Sequence, residues 1–197
     1  MEPISPAPPG AFEHVRVIMG VVTSLAMTRL ISGLAGFVQH PTRRKVHPTH
    51  LLWSIYMLLG VMHFWWFEFA LGRTAVWTFE LYLFLISYAI AFYFTCALLY
   101  PDGLDEYGGY RDYFRARRGW FYGFLALLAL LDLVDSWVKG PEHFRALGPV
   151  YPYRQAMIAL AALAAIGIRH DRFHLAFAVA ALIAEVWWIL SHFRVLS

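Results

Sequence analysis

Charged residues are scarce in this sequence, and asparagine is absent altogether. Of its 197 residues only 15% are Asp, Glu, Lys or Arg, 60% are hydrophobic, and the mean hydropathy is +0.54. Soluble domains average about 25% charged and 45–50% apolar residues. A soluble fold of this size would expose far more apolar surface than is usual. The composition therefore argues against a soluble domain and favours an integral membrane protein.

Cysteine and lysine are almost missing as well. Cys96 is the only cysteine, so neither a disulfide within the chain nor a thiolate metal cluster is possible. Lysine occurs only at Lys45 and Lys139, beside fourteen arginines, and the formal net charge is +3. This charge is too small and too scattered for nucleic-acid binding. The Arg-rich, Asn-free composition suggests a GC-rich coding sequence and hence a bacterial source.

The first ten residues contain four prolines and no basic residue. They lack the positively charged start of a signal peptide. We expect a disordered tail over residues 1–11, followed by a single transmembrane helical domain over residues 12–197.

Long apolar runs fill the rest of the chain. A helix needs roughly 20 mainly apolar residues to cross the hydrocarbon core. The runs are continuous rather than alternating, which excludes a β-barrel, and Pro and Gly punctuate several of their ends, as at Gly140-Pro141. The sequence predicts an all-α bundle of about six transmembrane helices with short loops, at residues 13–38, 50–71, 75–99, 119–139, 152–168 and 173–194.

The distribution of Lys and Arg between loops predicts the orientation, because cytoplasmic loops carry an excess of both. The loops after the first, third and fifth spans carry nine such residues: Arg43, Arg44, Lys45, Arg111, Arg115, Arg117, Arg118, Arg169 and Arg172. The other side carries six: Arg16, Arg73, Lys139, Arg145, Arg154 and Arg194. This balance places both termini outside the cytoplasm, in the inner (plasma) membrane of a bacterium.

Ionisable residues within the spans are the strongest functional signal. Each costs at least about 2.5–3.5 kcal/mol near the bilayer centre, so such residues usually face the interior of a bundle. One falls early in an odd span and five fall late in even spans, so all six share one half of the membrane: Glu80, His63, Glu68, Asp132, Asp135 and Glu185. We expect them to form an ion or proton pathway.

Arg29 is the single basic residue predicted within the hydrocarbon, and it is the expected counter-charge. Its guanidinium group can bind a carboxylate through two hydrogen bonds. Glu185 is the preferred partner and Asp132 the second choice. The alternative is that a buried ion pair only fixes the packing of the helices.

A second group of polar residues lies towards the other side. The predicted loops contain His40, His47 and His50, and then His170 and His174. The spacings HxxH and HxxxH make this group similar to the histidine boxes of membrane-bound di-iron hydroxylases and desaturases. That resemblance implies a metal at His47, His50, His170 and His174. The sequence departs from the family in offering only five such histidines and in lacking an adjacent His-His pair. Ordinary loop histidines are therefore the preferred explanation, and the metal site is the alternative.

Three functions follow in order of preference. The first is a small transporter or channel for a proton or another cation. The second is a non-catalytic accessory or assembly subunit of a larger membrane complex, or a homo-oligomer, because 35 aromatic residues supply adhesive surface. The third is a metal-dependent membrane enzyme. No phosphate-binding loop, nucleophile elbow or haem motif is present, so an enzyme is less favoured and no cofactor is indicated.

Overall fold

The structure is a computed structural model that describes residues 11–40, 46–73 and 77–192. The predicted tail over residues 1–11 lies outside these ranges, apart from Ala11, which begins the first helix. Every regular element in these ranges is a helix, and a 3₁₀ helix, Glu68–Arg73, follows α2. The α-helices are α1 Ala11–Gln39, α2 Pro48–Phe67, α3 Phe79–Ala97, α4 Tyr110–Val138, α5 Pro141–Ala146, α6 Val150–Gly167 and α7 Asp171–His192.

Five helical segments are long and apolar enough to cross a membrane. They are Phe12–Gln39, Pro48–Gly72, Phe79–Ala97, Tyr110–Val138 and Asp171–Ser191. The all-α class is confirmed, and so is the apolar, span-length character of these five segments. The fifth predicted span corresponds to α6, which has 18 residues and begins with Val-Tyr-Pro-Tyr-Arg-Gln. It is not among the five segments that are apolar enough to cross a membrane.

Two departures from the predicted boundaries shape the ends of the bundle. Helix α4 begins at Tyr110 rather than at residue 119. The added turns contain several arginines, which hydropathy excludes from a membrane span but which are good helix formers. The short helix α5 lies in a predicted loop. Gly140, at a φ of 107°, adopts a conformation that favours glycine, and Pro141 then starts α5 at a position that proline suits.

The helices pack in pairs: α4 against α6, α1 against α3, and α2 against α7, with α3–α4 and α1–α2 contacts joining the pairs. Alanines on α6 are fully or almost fully buried, at Ala159, Ala162 and Ala165. Small side chains of this kind let helices approach closely in lipid. The ring of Trp53 is fully buried and makes edge-on contacts with Phe121 and Phe177.

The two ends of the bundle hold different polar groups. At one end α2, α4 and α7 finish and α6 begins, as the contacts of α7 with α2 and of α6 with α4 show. We call this the acidic end. At the other, α1 and α3 finish and α4 and α7 begin, and there Asp171 accepts hydrogen bonds from Arg111 and Arg115. We call this the arginine end.

Candidate functional site

A cavity of about 70 Å³ lies in the acidic half of the bundle, between α2, α3, α4, α6 and α7. His63 from α2, Asp132 from α4 and Glu185 from α7 all line it. These three residues come from segments far apart in the sequence, and the fold brings them to one place. We call this space the central cavity.

Glu185 is held by two partners on different helices. One carboxylate oxygen, Oε2, accepts a hydrogen bond from the Arg154 guanidinium at 2.5 Å, and Oε1 lies 3.2 Å from Nδ1 of His63. The side chains of Glu185 and Arg154 are 6% and 11% exposed. The guanidinium carbon of Arg154 also lies 5.1 Å from the centre of the Trp188 ring. Glu185 thus belongs to a buried ion pair with a histidine attached.

Asp132 has partners of another kind. Its Oδ2 accepts hydrogen bonds from the hydroxyl of Tyr151 at 2.6 Å and from the side-chain amide of Gln155 at 2.5 Å. Its Oδ1 accepts one from Tyr88 at 3.2 Å. Tyr151 and Gln155 are four residues apart on α6, so one helix face presents both donors. All three donors are neutral, and none of them balances the charge of the aspartate.

A second buried group, the lysine cluster, consists of Glu68, Asp135 and Lys139. The Lys139 ammonium donates to Oδ2 of Asp135 at 2.5 Å and to Oε1 of Glu68 at 3.0 Å. The side chains are 4%, 0% and 1% exposed, in the order given. The ammonium also lies 3.9 Å from the centre of the Phe67 ring, and Phe67 in turn lines the central cavity.

The six predicted pathway residues therefore divide into three groups. His63, Asp132 and Glu185 meet at the central cavity, whereas Glu68 and Asp135 belong to the adjacent lysine cluster. Glu80 lies apart from both. It is an exposed residue in the first turn of α3, next to Thr78, whose hydroxyl accepts a hydrogen bond from the backbone N–H of Leu81 and so caps the helix.

The predicted pairing of Arg29 with Glu185 or Asp132 is wrong. The Arg29 guanidinium instead donates to the carboxylate of Asp102 at 2.5 Å, and the two side chains are 35% and 89% exposed. Helix α1 has 29 residues and α3 only 19, so α1 extends well beyond the end of α3. Arg29 is central in its sequence segment but level with the turn that follows α3, and this depth puts it near the arginine end.

Sequence reasoning missed the two cations that matter most at the acidic end. Arg154 and Lys139 lie at the ends of predicted spans and count there only towards the orientation, yet both are buried in ion pairs. Each had a signal in the sequence. Lys139 follows Asp135 by four residues, and Arg154 lies next to Gln155, which shares a helix face with Tyr151. Their closeness to predicted span ends concealed them.

The predicted metal ligands do not form a site in the structure. The Nε2 atom of His50 lies 2.6 Å from the carbonyl oxygen of Leu99. His174 bonds the hydroxyl of Tyr122 and the carbonyl of Ile168, both at 2.9 Å. His170 is exposed to solvent. His47 is partly buried, and this burial lowers the pKa of its imidazole. The part of the chain that the structure describes contains no group of three or more His, Cys, Asp or Glu side chains arranged to hold a metal ion.

Comparison with known proteins gives no relative: no family model, no curated protein and no solved structure matches this chain. Function is therefore inferred from the chemistry of the central cavity and its surroundings.

Proposed function

We propose that this chain is a multi-pass protein of the bacterial inner membrane that moves protons, or another small cation, through the central cavity. The observation that carries this proposal is the convergence of His63, Asp132 and Glu185, from three helices, on one cavity. Ionisable groups in membrane-spanning segments usually mark proton relays or ion pathways. A purely structural role for each residue would not require them to share a cavity.

The size of the cavity favours a small ion. A volume of about 70 Å³ is comparable with that of roughly two water molecules in the liquid, at about 30 Å³ each. A sugar, an amino acid or a drug would need the helices to separate. A proton carried by water, or a single metal or ammonium ion, would not.

The charges around the cavity favour a cation over an anion. The Arg154 guanidinium is already paired with Glu185, whereas Asp132 is contacted only by neutral donors among its hydrogen-bond partners. A cation that enters the cavity therefore meets a carboxylate without a direct counter-charge. The contact between His63 and Glu185 adds a pair of groups that can each accept and release a proton.

Helix α6 supplies the sixth crossing in this proposal. At about 1.5 Å per residue its 18 residues extend about 27 Å, close to the thickness of the hydrocarbon core. Its first turns reach Asp132 and Glu185 at the acidic end. Ile168 directly follows the last turn of α6, and its carbonyl oxygen accepts a hydrogen bond from His174 in the opposite half of the bundle. These contacts in the two halves of the bundle support a sixth crossing by α6.

The buried positions of Lys139 and Arg154 also strengthen the proposed orientation. Both were counted among six basic loop residues on the side of the acidic end, and their side chains are only 1% and 11% exposed. Without them four remain on that side, against nine on the other. The positive-inside rule then supports a cytoplasmic arginine end and places both termini outside the cytoplasm.

Ion flux into proteoliposomes tests the proposal. The purified protein should conduct protons, sodium or potassium when a gradient is imposed, and Glu185→Gln and Asp132→Asn should each abolish that flux. Glu80→Gln is the matched control, because it neutralises an exposed carboxylate outside both buried groups and should leave the flux unchanged. Normal flux in both cavity variants, or no flux of any of the three cations in the wild-type protein, would refute the proposal.

An accessory subunit is the second candidate, and exposed aromatic side chains favour it. Trp120, Trp137 and Tyr153 are 65–73% exposed on the surface of the bundle, where they can contact lipid or another membrane protein. Purification in mild detergent separates the two candidates. A stoichiometric partner protein would support the accessory role, and a homogeneous monomer or homo-oligomer with flux would support transport.

A further inference from the structure

The lysine cluster contains more acid than base. Two carboxyl groups, of Glu68 and Asp135, surround one ammonium group, that of Lys139. Both carboxyl groups accept hydrogen bonds from the same ammonium group, so they lie close to each other. One oxygen of each, Oε2 of Glu68 and Oδ1 of Asp135, accepts no hydrogen bond from any donor in the part of the chain that the structure describes.

Burial makes the charge of this cluster decisive. If both acids were ionised, the three side chains would carry a net charge of −1 with at most 4% of any side chain exposed. An uncompensated charge in such surroundings is strongly unfavourable, and a buried group usually takes up or releases a proton instead. One proton on either carboxyl group makes the cluster neutral and lets that group donate to the other.

Among the side chains that the structure describes, Lys139 is the only cation in an ion pair with Glu68 or Asp135. On α4, Asp132 precedes Asp135 by one turn and adds negative charge. On α1, Arg16 is exposed, and its guanidinium carbon lies 6.0 Å from the centre of the Phe69 ring; no ion pair joins it to Glu68 in the ranges described. On α5, His143 contacts the Phe67 ring at a tilt of 59°, with the ring centres 5.1 Å apart.

The lysine cluster lies between the central cavity and a groove beside α1. Phe67, whose carbonyl oxygen lies 3.4 Å from the Lys139 ammonium, lines the central cavity. Glu68, the next residue, lines a narrow groove of about 10 Å³ beside α1, together with Phe12, Trp65 and the exposed Arg16. The cluster therefore stands between the cavity and the outer surface of the acidic end.

We propose that Glu68, Asp135 and Lys139 form a proton-binding site that holds one exchangeable proton between the two carboxyl groups and passes it between the central cavity and the acidic end of the bundle. Release of the proton takes the cluster from neutral to −1, rebinding restores neutrality, and no other bond changes. The occupancy of this site stands on the geometry of the cluster alone, whereas its place on a pathway rests on the proposed function.

Infrared spectroscopy of the purified protein in lipid nanodiscs at neutral pH tests the occupancy directly. A protonated carboxylic acid has a C=O stretching band that an ionised carboxylate lacks. The wild-type spectrum should contain this band, and Glu68→Gln and Asp135→Asn should each remove a contribution equal to one acid, since the acid that remains forms a neutral pair with Lys139. Glu80→Gln should leave the intensity of the band unchanged. Any intensity lost in Asp132→Asn comes from the aspartate at the central cavity and is not assigned to the cluster.

The outcomes separate this inference from the proposed function. A band unchanged in both Glu68→Gln and Asp135→Asn would overturn the proton site. Loss of the band together with loss of most of the proton flux in Glu68→Gln would support both the site and its place on the pathway. Normal flux in Glu68→Gln, alongside no flux in Glu185→Gln, would overturn the place of the cluster on the pathway and leave the proposed function standing. A wild-type protein without flux, whose band still disappears in Glu68→Gln, would overturn the proposed function and keep the proton site.

Discussion

Replacing Arg154 with Gln removes the positive partner of a buried carboxylate, and we expect this change to destabilise the bundle by about 3–5 kcal/mol. The guanidinium lies 2.5 Å from Glu185, and the two side chains are 11% and 6% exposed, so little solvent screens the pair. Without Arg154, the one hydrogen-bond partner left to Glu185 among the described residues is His63, at 3.2 Å. The cost arises from the charge left behind in the interior rather than from the lost attraction itself.

The loss is measurable as a shift of the thermal unfolding midpoint in detergent. For chains of 150–250 residues, 1 kcal/mol corresponds to about 2–4 °C, so a loss of that size predicts a decrease of roughly 6–20 °C. The double variant Arg154→Gln with Glu185→Gln should recover most of the decrease, because neither charge is then buried alone. Such recovery distinguishes an ion-pair effect from a simple loss of packing against Trp188.

Arg29→Gln is the matched control, since it makes the same substitution in an ion pair of the same length. The Arg29–Asp102 pair is 2.5 Å long as well, but its side chains are 35% and 89% exposed. Exposed pairs contribute about 0–1 kcal/mol, so Arg29→Gln should lower the midpoint by only a few degrees. If the two single variants were equally destabilised, or the double variant were no more stable than Arg154→Gln, burial would not be the source of the effect.

Three further substitutions and a chelator experiment test the packing of the helices and the role of the histidines. Gly33→Ala should destabilise the protein by about 1–3 kcal/mol because the added Cβ would overlap the Tyr100 ring. Gly123→Ala, with no atom within 4 Å of the new Cβ, should be neutral or stabilising. Equal unfolding midpoints for the two variants would contradict the close contact at Gly33. His50→Ala should lower the free energy of unfolding by about 1–3 kcal/mol, because the contact with the Leu99 carbonyl is lost. A metal chelator should not change the unfolding midpoint of the wild-type protein. A decrease caused by the chelator would restore the hypothesis of a metal site at the histidines.

The helical architecture could be predicted because lipid imposes a simple rule: each crossing needs a long apolar segment. That rule located five apolar segments of spanning length, and it failed where a helix extends beyond the hydrocarbon. The first turns of α4 contain Arg111 and Arg115, which hydropathy assigns to a loop. Both donate to Asp171 at the start of α7, so these turns are held by contacts between residues about 60 positions apart, which no local pattern contains.

The site was predicted in part, for a related reason. Helix direction alone placed His63, Asp132 and Glu185 in the same half of the membrane, and their convergence follows from how α2, α4 and α7 pack. The partner of each acid could not be predicted in this way. Arg154 is central to the site although it lies in the second turn of α6, and Arg29 is peripheral although it lies in the middle of α1. Depth depends on how far each helix extends, which sequence position does not specify.

The balance of acids and bases at the acidic end links the two proposals. Four buried or largely buried carboxyl groups belong to the described site, on Glu68, Asp132, Asp135 and Glu185, and two permanent cations, Arg154 and Lys139, are paired with three of them. The excess therefore amounts to one acid at the central cavity and one in the lysine cluster. Buried ionic groups are often no more stabilising than apolar residues of the same size, so packing alone does not account for two surplus acids. A pathway with two successive proton-binding stations does account for them, with Asp132 as the first and the lysine cluster as the second.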